Sequence, residues 1–283
     1  HDALPICQEA GDGAPALQGT ADDSGEGGQG AGGDLFVGLD VGSVSTKAVA
    51  IDANGRLAAT AYLPTAGRPV DAIRAAMDAL RGQLPDDARV ARAVTTGSGR
   101  HLARDLLDAE EVVDEITAQA RAATHFTPDA DTIFEIGGQD AKYVRLSGGR
   151  VARFQMNRAC AAGTGAFLEE QSGRLGIDVR RDFAREALAS RSPVRLGSRC
   201  TVFMDSDLVH HLQHGASTAD LCAGLAYSVA RNYLDKVVGS RPVGHHVVFQ
   251  GGVARNEAVR AAFARILGRD VAVPPHPETS GAW

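Results

Sequence analysis

From residue 34 onward the chain alternates apolar runs with glycine turns. "DLFVGLDVGS" is an apolar run that ends on Asp40 and Gly42, "STKAVAI" is a second such run, and "RLAATAYL" a third. The second and third are joined through Ala53-Asn54-Gly55, and Asn-Gly between two β runs is the strongest short-range hairpin signal. The N-terminal unit is therefore predicted to be a β-meander. "VDAIRAAMDALRGQL" has helical spacing, "RVARAVTTGSGR" reads as a strand running into a glycine turn, and "EEVVDEITAQARAATHF" is helical again. "DTIFEIGGQDAKYVRLSGGRVARFQMN" holds three more β runs, about a hundred residues after the first meander. Two β units, each followed by helices, predict an internal duplication. Several helices follow Cys160, then "HHVVFQGGVARNEAVRAAFARILG" reads as strand, glycine turn and helix, and "DVAVPP" as a last strand. Alternating strands and helices favour an α/β architecture.

Composition narrows the class. The chain has 283 residues, 44% hydrophobic and 23% charged, enough for one large or two modest domains. Its net charge of -6, with Lys and Arg scattered, leaves no nucleic-acid or anionic-membrane footprint. No apolar run is long enough to span a bilayer, and the N-terminus lacks the pattern of a signal peptide. The four cysteines, Cys7, Cys160, Cys200 and Cys222, are too few for a disulfide scaffold and fit free or metal-bound thiols in a reducing compartment. A cytoplasmic protein is expected. Residues 1–33 are rich in Gly, Asp and Ala and cannot bury enough surface to fold, so they read as a linker or a remnant of excision. The start at His1 and the stop at "SGAW" suggest a piece of something longer. The expected units are 34–130 and 131–283.

Three glycine turns carry candidate chemistry. "GLDVGSVSTK" places Asp40 at the end of a buried strand, with Gly42, Ser43, Ser45, Thr46 and Lys47 in and beyond a tight turn. Backbone N–H groups and hydroxyls in such a turn cradle phosphate, and an acidic group beside it positions a hydrated Mg²⁺. "EIGGQDAK" repeats the arrangement with Gly137, Gly138, Gln139 and Asp140, and "FQGGVARN" brings Gly251, Gly252 and Asn256 to where a strand meets a helix N-terminus. A plain hairpin turn, with the acids as caps, is the alternative at each place taken singly. No Walker-type loop is present.

Two cysteines share a context. Cys160 precedes Gly163, Thr164 and Gly165, which turn into the helix "AFLEEQSGRL", and Cys200 precedes "TVFMDSDLV", with Asp205 and Asp207 in its early turns. A helix N-terminus favours a thiolate, although a buried structural cysteine is the commoner outcome. A cubane iron-sulfur cluster usually needs four thiolates, so two per chain would suffice at the axis of a symmetric homodimer.

The three turns in this order resemble those of the duplicated superfamily of actin, sugar kinases and heat-shock chaperone ATPases. That resemblance implies ribonuclease H-like domains in which two turns clamp the phosphates of ATP across a cleft and the third holds adenosine. "NRACAAGTGAFLEEQ" and "SRCTVFMDSDLV", with "DVGSVSTK", "TTGSGR", "DEITAQA", "EIGGQDAK" and "FQGGVARN", more closely resemble the ATP-dependent activators of 2-hydroxyacyl-CoA dehydratases and the ATPase subunits of benzoyl-CoA reductase. The match is nearest to activase domains inside very long multidomain relatives. It implies a homodimer whose Cys160 and Cys200 ligate one shared [4Fe-4S] cluster. It also implies ATP and Mg²⁺ at the glycine turns, a donor such as ferredoxin or flavodoxin, and a partner reductase or dehydratase that receives the electron. Where this chain reads "SGAW", the family continues into a small-residue helix.

Asp40 would act through metal-bound water and Asp140 or Gln139 by orienting the attacking water. Glu115 reads equally as a cleft residue or an exposed helical glutamate, and the role of Thr96 and Gly97 is open. Cys222 falls with Leu225, Ala226, Val229 and Tyr233 at helical spacing and reads as core. His210 and His214 have zinc-ligand spacing without a third ligand, so an exposed helix face is the simpler reading, and a structural role is the simpler one for His245 and His246 too. The rival function is a small-molecule kinase of the same fold, of the amino-sugar type, with Asp140 as base; a non-redox regulatory ATPase is a further class.

Overall fold

The computed structural model describes residues 33–157, 162–197 and 201–283. Two five-stranded sheets organise them. The first, in the order β3-β2-β1-β4-β5, consists of β1 (Asp34–Val41), β2 (Ser45–Ile51), β3 (Leu57–Pro64), β4 (Arg89–Thr96) and β5 (Glu111–Val112). The second, in the order β10-β9-β6-β7-β8, consists of β6 (Thr132–Ile136), β7 (Ala141–Ser147), β8 (Arg150–Met156), β9 (Val247–Gln250) and β10 (Val271–Ala272). The pairing is the same in both. An antiparallel three-stranded meander is extended, on the side of its first strand, by two parallel strands. The predicted duplication is thus a repeat of topology.

The first hairpin turns as the Asn-Gly signal requires. Gly55 takes φ 76°, and the Asp52 carboxylate accepts from the amides of Asn54 and Arg56 at 2.8 and 2.9 Å. Helix α1 (Pro69–Arg81) opens on a proline, whose fixed φ suits a first helical position, and buries Ala72, Ile73, Ala76 and Leu80. That stripe packs on Val37, Leu39, Val41, Ala48 and Ala50 of the first sheet. Helix α2 (Arg100–Leu107) follows the glycine turn after β4. Helix α3 (Glu115–Phe126) starts later than its periodicity suggests. Glu111 and Val112 pair with Val94 and Thr95 as β5, and Asp114 caps α3 by accepting from the Thr117 amide at 3.0 Å. A cap with this geometry marks where the helix can begin.

The second sheet is covered by α4 (Gly165–Arg174), α5 (Phe183–Leu188), α6 (Thr201–Gln213), α7 (Thr218–Tyr233) and α8 (Glu257–Leu267). Helix α7 is buried along almost its whole length and runs on into a π turn at Leu234–Val238. Its Tyr233 meets Phe134 and Phe263 with ring centroids 5.0 and 5.5 Å apart, and the fully buried Tyr233 hydroxyl donates to the Lys142 carbonyl at 2.7 Å. Cys222 lies in this core with no exposure, and burial, with a smaller contribution from the charge of Glu186, pushes its thiol up to about 12. Periodicity placed it correctly.

After β10 the chain returns to the first sheet. The 3-10 segment Pro277–Ala282 packs against α3, β1 and β2, and the Trp283 ring stands edge-on to Phe126 at 4.8 Å. No helix among the described residues is long and apolar enough to cross a membrane.

The aromatic cluster of the second core predicts a graded response to truncation. Phe263→Ala, which empties a site touching Phe134, Tyr233 and Phe249, should cost about 3–5 kcal/mol in urea denaturation. Phe154→Ala, at a side chain 53% exposed, should stay within about 0.5 kcal/mol of the parent.

Candidate functional site

The two meanders place the same two charges at the same places. In the first, Asp40 and Lys47 lie opposite each other across β1 and β2, and the Lys47 ammonium donates to Asp40 Oδ2 at 2.9 Å. In the second, Glu135 and Lys142 lie opposite across β6 and β7, and the Lys142 ammonium donates to Glu135 Oε2 at 2.8 Å. Both pairs are separated by 7 residues and both close a glycine turn. Gly42 N donates to Ser45 O at 3.0 Å in one turn and Gly137 N to Asp140 O at 2.8 Å in the other. Burial alone would lower each ammonium's pKa, but the facing carboxylates reverse this: Asp40 raises Lys47 above the ordinary lysine value, and Glu135 raises Lys142 well above it.

Each turn has its own support. Thr65 Oγ1 donates to the Gly42 carbonyl at 2.8 Å and so accepts from Thr46 Oγ1 at 3.0 Å. Thr46 therefore braces the first turn from beneath, fully buried. Asn157 holds the second turn, with its Oδ1 accepting from Ala141 N at 3.0 Å and its Nδ2 donating to Gln139 O at 3.1 Å. The carboxylate of Asp40 is confined. A side chain on Gly97 would collide with Oδ1, and a Cβ on Gly281 would lie 2.7 Å from Oδ2. With Lys47 on Oδ2, the Asp40 side chain is only 11% exposed.

The turns of the two sheets meet. Ser43 Oγ donates to Gln139 Oε1 at 3.2 Å, and Val44 lies against Gly138. Gln139 and Asp140 are exposed beside them. The third turn joins the same place: Gly251 has φ 87°, and a Cβ there would lie 3.0 Å from Glu135 Oε1. Only glycine allows so close an approach at that φ. A Cβ on Gly252 would lie 3.5 Å from the Tyr62 hydroxyl of β3, so the first sheet reaches the third turn as well. Between Gly251 and α8 the structure interposes a 3-10 turn, Gly252–Arg255. Asn256 is the cap of α8, its Oδ1 accepting from Ala258 N and Val259 N at 3.1 and 3.3 Å. Its buried Nδ2 has no partner among the described residues, so a donor is left over beside the third turn for an acceptor such as a nucleoside.

Gly163, Thr164 and Gly165 adjoin the second turn. Gly165 N donates to Gly137 O at 2.9 Å and Ala166 N to Gly138 O at 2.7 Å. The first amides of α4 are thus spent on the turn that carries Gln139 and Asp140. Cys160, Cys200 and Cys7 lie outside the described residues. His210 of α6 and His214 just past its end lie on the surface with tilted rings, centroids 4.1 Å apart, and His214 Nδ1 meets the His210 carbonyl at 2.7 Å. His245 donates its amide to Asp131 Oδ2 at 2.8 Å, and His246 Nδ1 pairs with Asp129 Oδ2 at 2.8 Å, as structural residues would.

Sequence reasoning missed Glu135, Lys142 and Thr65, and left Glu115 undecided. The structure puts Glu115 at the start of α3, one-third exposed, with its Oε2 3.8 Å from Lys142 Nζ. Desolvation raises its pKa; Lys142 opposes this, and Glu135, Asp40 and Asp140 add to it. A signal for Glu135 was available: "LDVGSVSTK" set over "FEIGGQDAK" puts it on Asp40 and Lys142 on Lys47.

The BadF/BadG/BcrA/BcrD ATPase family matches residues 37–283. The 2-hydroxyisocaproyl-CoA dehydratase activator of Clostridioides difficile is 34% identical over 250 residues, covering 87% of this chain and 91% of that protein. The (R)-2-hydroxyglutaryl-CoA dehydratase activating ATPase of Acidaminococcus fermentans is 31% identical, covering 87% and 93%. A solved structure of the 2-hydroxyisocaproyl-CoA dehydratase activator from Clostridium difficile with bound ADPNP superposes with a TM-score of 0.79 at 32% identity, covering 88% of this chain and 91% of that one. Likeness to a ROK-family glucokinase of Streptomyces griseus, at 14% identity and a TM-score of 0.55, is one of actin-like fold alone.

The Asp40–Lys47 pair makes a prediction of its own. Lys47→Met strands the buried Asp40 carboxylate and should cost about 3–5 kcal/mol in chemical denaturation at neutral pH. Asp40→Asn with Lys47→Met should recover part of that loss.

Proposed function

The chain belongs to the BadF/BadG/BcrA/BcrD ATPase family, and we propose that it is a homodimeric, ATP-hydrolysing activator that delivers a low-potential electron to a partner reductase or dehydratase. The observation that carries this reading is the direct hydrogen bonding of the second glycine turn to the first amides of α4, the helix that follows Cys160. A turn that would meet phosphate is thereby joined to the helix that follows Cys160 in the sequence.

The glycine turns fit a nucleotide by their chemistry. The first and second turns, with Gly42, Ser43 and Ser45 facing Gly137, Gly138 and Gln139, would hold phosphates, and Gly251, Gly252 and Asn256 the nucleoside. Bound Mg-ATP would supply the phosphoryl group and the charge that neutralises it. Asp40, backed by Lys47, would orient the metal's water shell, while Gln139 and Asp140 would position the attacking water. Phosphoryl transfer asks chiefly for such positioning and charge placement. The Lys47 ammonium, bonded to Asp40, would hold that carboxylate in place rather than reach the nucleotide.

Cys160 and Cys200 are the donor set for iron, and two thiolates from each of two subunits would complete a cubane. Such a cluster, when bound, supplies a one-electron carrier. Raising one electron by about 0.2 to 0.3 V requires about 5 to 7 kcal/mol, at 59 mV per 1.4 kcal/mol. Closure of the first two turns would move α4 through its two amide bonds, and with it the chain around Cys160. The donor would be a small one-electron carrier of the ferredoxin or flavodoxin type, and the reaction belongs in the cytoplasm of a cell that keeps such potentials.

Two measurements test the reading. Anaerobically purified protein should hold about two irons and two acid-labile sulfides per chain, lost in both Cys160→Ser and Cys200→Ser, given four irons shared by two subunits. A colourless protein that stays iron-free after reconstitution would overturn the redox role. Asp140→Asn should lower ATP hydrolysis by about 10²- to 10⁴-fold while leaving nucleotide binding near its starting value.

A further inference from the structure

The two carboxylate–ammonium pairs share spacing, register and turn, but their surroundings differ. Among the described residues Lys47 has one ion-pair partner in contact, Asp40, with Glu135 acting on it from farther away. Lys142 meets Glu135 at 2.8 Å and also lies 3.8 Å from Glu115, which arrives from α3 on the first half of the chain. One ammonium with 7% side-chain exposure thus faces two carboxylates, and only Glu115 keeps appreciable exposure, at 33% against 7% for Glu135. Glu135 is committed twice, to Lys142 through Oε2 and to close packing beneath Gly251 and Gly137 through Oε1. It is therefore a fixed anchor, and Lys142 is held by it within reach of a more exposed neighbour.

We propose that Glu115 is a further proton-accepting residue for the hydrolysis, and that Lys142, anchored by Glu135, is the positioning residue that keeps it ionised and turned toward the second glycine turn. This rests on the ATPase reading above. In the step, the water oxygen forms its bond to the terminal phosphorus as the bond from that phosphorus to the bridging oxygen breaks. The water's proton passes to the Glu115 carboxylate and leaves later to bulk water. No oxidant or further reactant is needed. Asp140 and Gln139 orient the water from the turn, and Glu115 takes its proton from the neighbouring helix.

The charges facing Glu115 come from every element around it. Lys142 on β7 favours its ionised form, whereas Glu135 on β6, Asp40 on β1 and Asp140 in the turn favour its protonated form, adding to desolvation. The group consequently starts with a raised pKa, and removing one neighbour moves it in a direction set by the sign of the charge removed. Lys142→Met withdraws the cation and should move the acidic limb of the kcat profile to higher pH, by about one unit. Glu135→Gln withdraws an anion, leaves Lys142 to Glu115, and should move the same limb to lower pH. A role confined to holding the fold together does not produce opposite shifts from the two halves of one ion pair.

The experiment measures ATP hydrolysis from pH 5 to 9 with the whole reconstituted chain and its Lys142→Met, Glu135→Gln, Lys142→Arg and Glu115→Gln variants. Opposite displacement of the limb, its return toward the parent position in Lys142→Arg, and its disappearance with a loss of about 10²-fold or more in Glu115→Gln are the expected results. Limbs that stay put, or that move the same way in both variants, overturn the proposal. The Glu115 carboxyl carbon, followed by NMR in selectively labelled protein and assigned by its loss in Glu115→Gln, reads the same opposite shifts without ATP. If the protein hydrolyses no ATP while that resonance behaves as stated, the ATPase reading fails and the positioning of Glu115 by Lys142 stands. If the resonance does not move, the positioning fails whatever the hydrolysis shows.

Discussion

The pairing of a carboxylate with an ammonium across the first hairpin of each meander is the constraint on which the site depends. An acid at the penultimate, buried position of a strand would be costly to bury alone, and the lysine directly opposite it makes the burial tolerable. Because the two partners face each other across an antiparallel ladder, the chain between them has room only for a tight turn. That turn exposes the hydroxyl, amide and carboxylate groups a phosphate would meet. The ion pair therefore sets turn length and turn placement together, and duplication copied both.

From this follows where the turns meet. Each turn projects from the end of its sheet, and the two sheets present those ends to one another, so Ser43 reaches Gln139 and Val44 covers Gly138. The third turn is drawn in because β9 pairs in parallel with β6, which brings Gly251 beside Glu135. Three stretches separated by roughly a hundred residues each converge because two strands in one sheet and one in the other carry them to the same end.

Much of this was legible in the chain. The Asn-Gly hairpin, the two meanders and the strand–helix alternation all came from local signals, and Cys222 was placed by spacing alone. Asp40, Gln139 and Asp140 stood out because they sit beside glycines. Glu135 did not, because an acid inside "TIFEIGG" looks like an interruption of a strand until a lysine is seen opposite it. Glu115 was undecidable for a related reason: helical spacing says nothing about which side of α3 faces a sheet from the other half of the chain. The start of α3 was misjudged because the β-branched pair after Glu111 fits a short edge strand as readily as a first helical turn. Long-range pairing, not propensity, settled each of these.

Helix α3 spans about 18 Å at 1.5 Å per residue, with Glu115 at one end and Phe126 at the other. At that far end Phe126 meets the edge of Trp283, the one tryptophan in the chain, and Trp283 follows a segment whose Gly281 lies against Asp40. The indole is thus linked to Glu115 through a rigid helix on one side and to Asp40 through a short backbone strap on the other. Its fluorescence would report how those two acids are set, without adding any label to the molecule.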